Sequence, residues 1–412
     1  MNSESVPIAG PSLAQRLKRT GPGLIIAAAT IGPGSVTLAC LAGAKYAYAL
    51  IWVVAIGAVV RWVYQSMMYR TAIILDKPLM KVIREYNPTL AALTGIACFL
   101  SSFAFQIGNA TGTAMGLQLF LPGIPINVLI AVGCVLAIAL IWAKDVYAAL
   151  QKVMTAIVLV MLSSFLISLC MSGLPSLSGI AGGLMPKFPD AQAPFTALGL
   201  FSTTVVFNAA VFGTYLGRQK KWSVDDIRSG AISMDVGLSV AAITTISLLI
   251  MITAAVVLNP QHIVVNSGIA MAKALEPVAG PFAKYVFGLG FFGAAISSLI
   301  VTSMTGIGLA QGGLGQEPQL ESKGFRLMAS CIVVVAGAMG IALGNSPVQL
   351  LSASNAASFV SLPVLGVAAI LAANSKGMGK FKNNSTQNVM AWLSYGALIA
   401  LALYYLRQVL VA

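Results

Sequence analysis

Charge is scarce in this chain and negative charge scarcest: 8% of its 412 residues are charged, with 11 acids against 24 Lys and Arg and a single histidine. Glu4, Asp76, Glu85, Asp145, Asp190, Asp225, Asp226, Asp235, Glu276, Glu317 and Glu321 all stand outside the depths of the apolar runs. Only Asp235 comes close, where it suits fixing a helix end or pairing with Arg228 or Lys221. Cysteine is no richer. Cys40, Cys98, Cys134, Cys170 and Cys331 show no CxxC spacing, and the one histidine, His262, falls in a connecting loop, which excludes a zinc site and leaves the thiols as small apolar core residues. No nucleophile, base and orienting group stand together, so enzyme activity has no support. The first twenty residues are polar and basic, so a cleavable signal is not expected, and the absence of a soluble signalling domain disfavours a receptor.

What the chain has in abundance is apolar sequence: 58% hydrophobic residues and a mean hydropathy of +0.90. About 20 apolar residues cross a bilayer. Some eleven such runs occur, centred near Ala28, Val54, Leu100, Val132, Val158, Thr203, Thr244, Ala294, Val334, Leu365 and Leu398. The fold class is therefore an all-α polytopic membrane protein, with the lipid bilayer as its first partner. Basic residues alternate between the connecting loops. Arg16, Lys18 and Arg19 precede span one, Arg70, Lys77, Lys81 and Arg84 follow span two, and Arg218, Lys220, Lys221 and Arg228 follow span six. The positive-inside bias then places the amino terminus in the cytoplasm and the carboxyl terminus outside, in a prokaryotic plasma membrane. A formal charge of +13 is accounted for by this topology and by anionic inner-leaflet lipid, which leaves a nucleic-acid partner little support.

Span one is interrupted at Gly32-Pro33-Gly34-Ser35, with apolar sequence on both sides. Proline lacks the amide proton and clashes with the preceding turn, and glycine lets the chain leave helical geometry. Freed backbone groups cost several kcal/mol in hydrocarbon unless the break lines a buried or watery cavity. The break marks a candidate binding site.

Gly21-Pro22-Gly23-Leu24-Ile25, Ala27-Ala28-Ala29, Ile31-Gly32-Pro33-Gly34 and Gly43-Ala44-Lys45-Tyr46-Ala47-Tyr48 together resemble the opening of the NRAMP divalent-metal transporter family. Gly112-Thr113-Ala114-Met115 resembles its third span, the stretch from Gly288-Leu289-Gly290 to Ala295-Ile296-Ser297-Ser298 its eighth, and Leu362-Pro363-Val364 its tenth. The resemblance implies a leucine-transporter-type fold of two inverted five-helix repeats, with spans one and six unwound at mid-membrane and a central site that opens alternately to each side. On that reading residues 1–412 form one domain, with repeats over about 20–172 and 190–372 and an extra helix over about 388–410.

The departures from the family pattern concern its chemistry. The family's DPGN stands here as Gly32-Pro33-Gly34-Ser35, so the ligand aspartate is absent. Its MPH triplet aligns with Val206-Phe207-Asn208, which removes the thioether that favours soft metals and the histidine associated with proton movement; a later histidine aligns with Gly213. Two acidic positions align with Gln106 and Asn109, and glutamines align with Ile296, Asn355 and Ser361.

Two readings of the cargo follow. The amides and positive dipole end of the second half of span one favour an anionic group, and glycine permits close backbone approach. The leading expectation is thus a small carboxylate-bearing solute, anionic or zwitterionic, such as an amino acid. Gly32, Gly34, Ser35, Thr37, Gln106, Asn109, Thr203, Thr204 and Asn208 would face it, with Phe207 either packing against it or filling space. The alternative is manganese or magnesium held weakly, mostly hydrated, by neutral oxygens. A non-transporting sensor or subunit is the third. For coupling, Thr30 and Ile31 with Ser297, Ser298 and Thr302 resemble a sodium site, against an equal reading of facilitated diffusion. No resident metal or cofactor is expected, and oligomeric state is open. Arg61, inside span two, requires a partner: it could attract an anion or line a vestibule, or bond a carbonyl at an unwound helix end.

Overall fold

The computed structural model describes residues 13–343 and 346–411, so Glu4 lies outside the described residues. Every regular element among the described residues is helical, as hydrocarbon demands, because a helix satisfies its backbone groups internally. Nine described helices are long and apolar enough to cross a membrane, and Pro22–Ala28 with Pro33–Tyr46, bent by 64°, forms a tenth span. The remaining span, the fourth, is Ile126–Trp142, whose 17 residues sit at the lower limit for crossing. The fold is the expected polytopic helical one.

Span two is Ile51–Ile74, span three Pro88–Gln118, span seven Ala231–Val257 and span eight Ala283–Gly313. Spans three and eight pack along their length at the centre, and small residues let them approach. A Cβ at Gly95 would stand 3.0 Å from the Cα of Gly313, so at that crossing the two backbones touch. The span-five segment Thr155–Ser172 and the span-eleven segment Ser385–Tyr405 are each only 22% buried and form the lipid-facing flanks. Span ten is broken midway: Pro347–Ala357 and Ser361–Ala373 meet at a 3₁₀ turn over Ser358–Val360. Ser101 donates to the Ser358 carbonyl at 2.6 Å, and Ser202 and Ser358 share a hydroxyl contact of 2.8 Å, so serines partner the groups this turn frees.

Span one enters through an anchored end. The Asp235 carboxylate accepts from the amides of Gly21 at 2.6 Å and Gly23 at 2.7 Å. It therefore caps the first half of span one, and a Cβ at Gly23 would collide with it. Next to it, Arg19 forms a fork with Asp226, both contacts 2.6 Å, and Asp226 also closes a capping box with Ser223. These contacts tie the start of span one to the connector after span six on the face rich in basic loops. On the opposite face, Lys45 meets Asp190 at 3.0 Å and the Tyr46 hydroxyl donates to the same carboxylate at 3.0 Å, latching the end of span one to the start of span six.

The Arg19 hydrogen bond holds the Asp226 carboxyl below the ordinary carboxylate range. Its stabilisation is therefore complete above the unfolded value near ~4 and disappears as pH falls through the depressed folded value. Because Arg19 is 42% exposed, screening limits the contribution to about 1 kcal/mol. Asp226→Asn should lower the detergent-solubilised melting temperature at neutral pH, and melting curves across an acid series should show the two proteins converging.

Candidate functional site

Span six carries the second mid-membrane break, and it is one residue long. Ala193–Val205 ends and Phe207–Gln219 begins on either side of Val206, which adopts the left-handed conformation at φ 33° and ψ 65°. A β-branched residue there costs on the order of 1–3 kcal/mol, so the surroundings must hold it. Arg61 does much of the holding. Buried to 1% exposure, its Nη1 donates to the carbonyls of Thr204 at 3.2 Å and Val205 at 3.1 Å, and its Nε donates to Gln65 Oε1 at 3.2 Å. A cation thus rests on the negative end of the upper half-helix, where carbonyls have lost their intrahelical donors. Of the roles weighed for Arg61, the bonds present are those to carbonyls at a helix end, and it is absent from the walls of the cavity between the breaks.

In span one, Thr30 ends the first half, Ile31 and Gly32 are non-helical, and Pro33 opens the second half. The Ser35 hydroxyl donates back to the Thr30 carbonyl at 3.2 Å and closes the break on itself. The two breaks face each other across a cavity of about 60 Å³, room for about two waters. Thr30, Gly32, Gly34, Ser35, Asn109, Thr203, Asn208, Ser298 and Thr302 line it. The wall also includes Ser102, Phe105, Val206, Phe212, Thr305 and Asn355.

The remaining candidates lie behind that wall. Thr37 is fully buried, Thr204 turns its hydroxyl to the Leu200 carbonyl at 2.8 Å, and Gln106 sits one residue deeper than Asn109. Phe207 packs on Tyr64 with ring centroids 4.4 Å apart, so it fills space and does not line the cavity. Ile31 and Ser297 are likewise absent from the wall. Gly213, where the family has a histidine, is crowded by Ile26 and the Tyr69 hydroxyl and has no room for a side chain.

Three asparagines give the cavity its chemistry. Asn208 Nδ2 donates to the Cys98 carbonyl at 3.0 Å and to Ser102 Oγ at 3.1 Å, while its buried Oδ1 has no hydrogen-bond partner. Gln106 Nε2 donates to the Leu299 carbonyl at 2.5 Å, and Asn109 Nδ2 donates to Gln106 Oε1 at 2.9 Å. That relay turns Asn109 Oδ1 toward Gly32, 3.6 Å from where a Cβ there would stand. Asn355 Nδ2 donates to the Leu351 carbonyl at 2.5 Å, and its amide fills the space beside Gly34 that a side chain would need. In each case an acceptor on the nitrogen side fixes the flip of the amide; Asn355 Oδ1 then packs against Gly34 and Asn208 Oδ1 is enclosed. Sequence reasoning included Asn109 and Asn208 in the site but saw Asn355 only as a family departure. Its signal was its place in span ten, which becomes informative once the 3₁₀ turn brings it to span one.

Phe212 lines this cavity and also a wider vestibule of about 660 Å³ bordered by Lys81, Arg84, Tyr215, Arg218 and Glu317. The vestibule lies on the basic face and shares Phe212 with the site, while the Lys45–Asp190 pair bridges spans one and six on the opposite face. Among the described residues no group of three or more His, Cys, Asp or Glu could hold a metal ion.

A family model described as natural resistance-associated macrophage protein-like matches residues 23–408. The divalent metal cation transporter MntH of Verminephrobacter eiseniae is 27% identical over 390 residues, covering 92% of this chain and 87% of that protein. A manganese transporter of Eremococcus coleocola, solved with an aromatic bis-isothiourea substituted compound, superposes with a TM-score of 0.78 at 20% identity, covering 96% of this chain and 87% of that one. MHP1, a nucleobase-cation-symport-1 family transporter, gives 0.54 at 13% identity over 98% and 95%. At these identities the two structures speak to the fold.

Arg61→Met should leave the Thr204 and Val205 carbonyls unpartnered in a dry interior and lower unfolding stability by about 2 kcal/mol. Thermal melts of the purified protein check this, with Arg61→Lys expected to recover part of the loss.

Proposed function

The chain belongs to the natural resistance-associated macrophage protein-like family of membrane transporters, and from that premise we propose that it moves a divalent metal cation, manganese or magnesium, by alternating access. The observation that carries this reading is a neutral cavity lined by Asn109, Asn208 and Asn355, whose amide nitrogens are all tied to protein acceptors so that oxygen is what these amides have left to offer, with the enclosed Asn208 Oδ1 lacking any donor. A buried acceptor without a donor is costly, and a cation with its water is a guest that satisfies it. Hard cations take such oxygens, and magnesium keeps several waters. The cavity volume of about 60 Å³ suits a partly hydrated ion. Neutral donors repay little of the dehydration, so binding is weak, on the order of millimolar. No methionine, cysteine or histidine lines the cavity, which argues against a preference for soft metals.

The carboxylate-bearing solute expected from the span-one break is set aside. Close approach to the backbone at Gly34 is the feature that suggested it, and Asn355 occupies that approach. The positive helix end also faces a wall whose fixed amide groups present acceptors, which repel a carboxylate. The activity named for the Verminephrobacter relative supports a cation instead.

The basic face is taken as cytoplasmic from the distribution of Lys and Arg, so that opening of the cavity past Phe212 is, on this reading, the inward one. Outward opening then requires release of Asp190 from Lys45 and Tyr46. Of the oxygens suggested for sodium, those of Thr30, Ser298 and Thr302 belong to the cargo cavity itself. We therefore place no separate coupling-ion site there, and cargo flux is expected without a sodium gradient.

Proteoliposomes provide the test. Manganese or magnesium should enter down its gradient. Asn208→Ala should reduce the initial rate at low cation concentration about tenfold, the equivalent of losing ~1.4 kcal/mol of binding. Asn109→Asp should tighten cation binding by restoring an anion. Amino-acid or carboxylate uptake without cation flux would overturn the reading in favour of an organic cargo, and absence of both fluxes would favour a non-transporting role. Gly34→Ala, which displaces Asn355, should abolish flux while the protein still inserts.

A further inference from the structure

Away from the transport pathway, span two and span eleven enclose a groove on the lipid-facing side. The spans are held together by the Tyr64 hydroxyl donating to the Ala391 carbonyl at 3.3 Å. At the basic-face end the groove holds a polar pocket of about 120 Å³ whose walls include Ser66, Arg70, Asn383 and Gln387. An apolar stretch of about 430 Å³ follows, walled by Ile56, Val59, Leu393 and Ala397. Met390 belongs to both walls, so the two volumes adjoin. From Arg70 to Ala55 the groove rises roughly 22 Å along span two, more than the ~15 Å of one hydrocarbon leaflet.

The polar end is built around a half-satisfied cation. Arg70 Nη2 donates to Asn383 Oδ1, while its Nε is buried without a hydrogen-bond partner. Among the described residues no carboxylate pairs with it. Asn383 is itself fixed by contacts of its amide with Met67 Sδ at 3.3 Å and Asn388 Oδ1 at 3.1 Å, and Asn388 is tied to Asn374 at 2.9 Å. This amide chain presents the guanidinium rigidly, and at the membrane surface an unpaired guanidinium calls for an oxyanion. The apolar stretch beyond it calls for hydrocarbon. One molecule with both parts fills both volumes.

We propose that this groove is a binding site for an anionic phospholipid of the leaflet on the basic face, its phosphate on Arg70 and one acyl chain laid along Val59 and Leu393. The lipid braces span eleven against span two, the helix whose Arg61 holds the span-six break, and so links the lipid environment to the transport core.

Native mass spectrometry of the full chain in detergent, titrated with phosphatidylglycerol or phosphatidylcholine, tests the assignment. The wild type should retain phosphatidylglycerol about fivefold more than phosphatidylcholine, the worth of one basic residue at an anionic surface. Arg70→Gln should erase that preference. Val59→Trp, a change at a residue already 54% exposed and therefore safe for folding, should block the acyl groove and reduce retention of both lipids. Unchanged adducts in both variants, or displacement of the phosphatidylglycerol by inorganic phosphate alone, would overturn the proposal.

Discussion

The structure turns on what becomes of backbone groups that two spans release at mid-membrane. In hydrocarbon an unpartnered carbonyl or amide costs several kcal/mol, so each break must be closed locally or left to face polar matter. Both solutions are present. Span one closes partly on itself through Ser35 and Thr30. Span six is closed from outside by Arg61, whose Nη1 lies on the terminal carbonyls of a helix while its buried Nη2 has no hydrogen-bond partner. What remains open faces the small cavity between the breaks.

On the reading proposed above, that arrangement lets a metal-carrier scaffold work without the usual anion. An aspartate beside a stripped cation supplies most of its binding energy as charge. Here the charge is gone, and three amides, each held by its nitrogen, supply oriented dipoles in its place. Such a site binds less tightly, but it does not need to strip the ion completely, and an ion that keeps its water leaves readily. Gln106 is part of this although it does not line the cavity, because its bond to the Leu299 carbonyl sets the direction of Asn109.

The two faces of the molecule are held differently. On the basic face, Asp235 and Asp226 clamp the beginning of span one through hydrogen bonds to Gly21, Gly23 and Arg19. On the opposite face the contact between span one and span six rests on Lys45, Tyr46 and Asp190, with both members of the ion pair about 40% exposed. An exposed pair of this kind is worth little, which makes the opposite face the cheaper one to open from the state described.

Much of the fold was legible in the sequence, because crossing a bilayer requires long apolar runs and the break at Gly32-Pro33-Gly34 uses the residues least able to continue a helix. Asp235 was legible as a helix anchor for the same reason: a lone carboxylate at a span end must have donors. The break at Val206 was not, since neither glycine nor proline marks it and what supports it, Arg61 on the Thr204 and Val205 carbonyls, is distant in the chain. Nor could periodicity tell that Thr37, Thr204 and Phe207 face away from the cavity while Asn355 faces in, because rotation of each half-helix about its axis is set by neighbours distant in the chain. The sequence alone determined a membrane-embedded helical protein whose span interiors hold no acid, as composition and the placement of the acids require. Which atoms of each amide are left without a protein partner was decided by tertiary hydrogen bonds, since an amide offers a donor and an acceptor alike until something fixes one side.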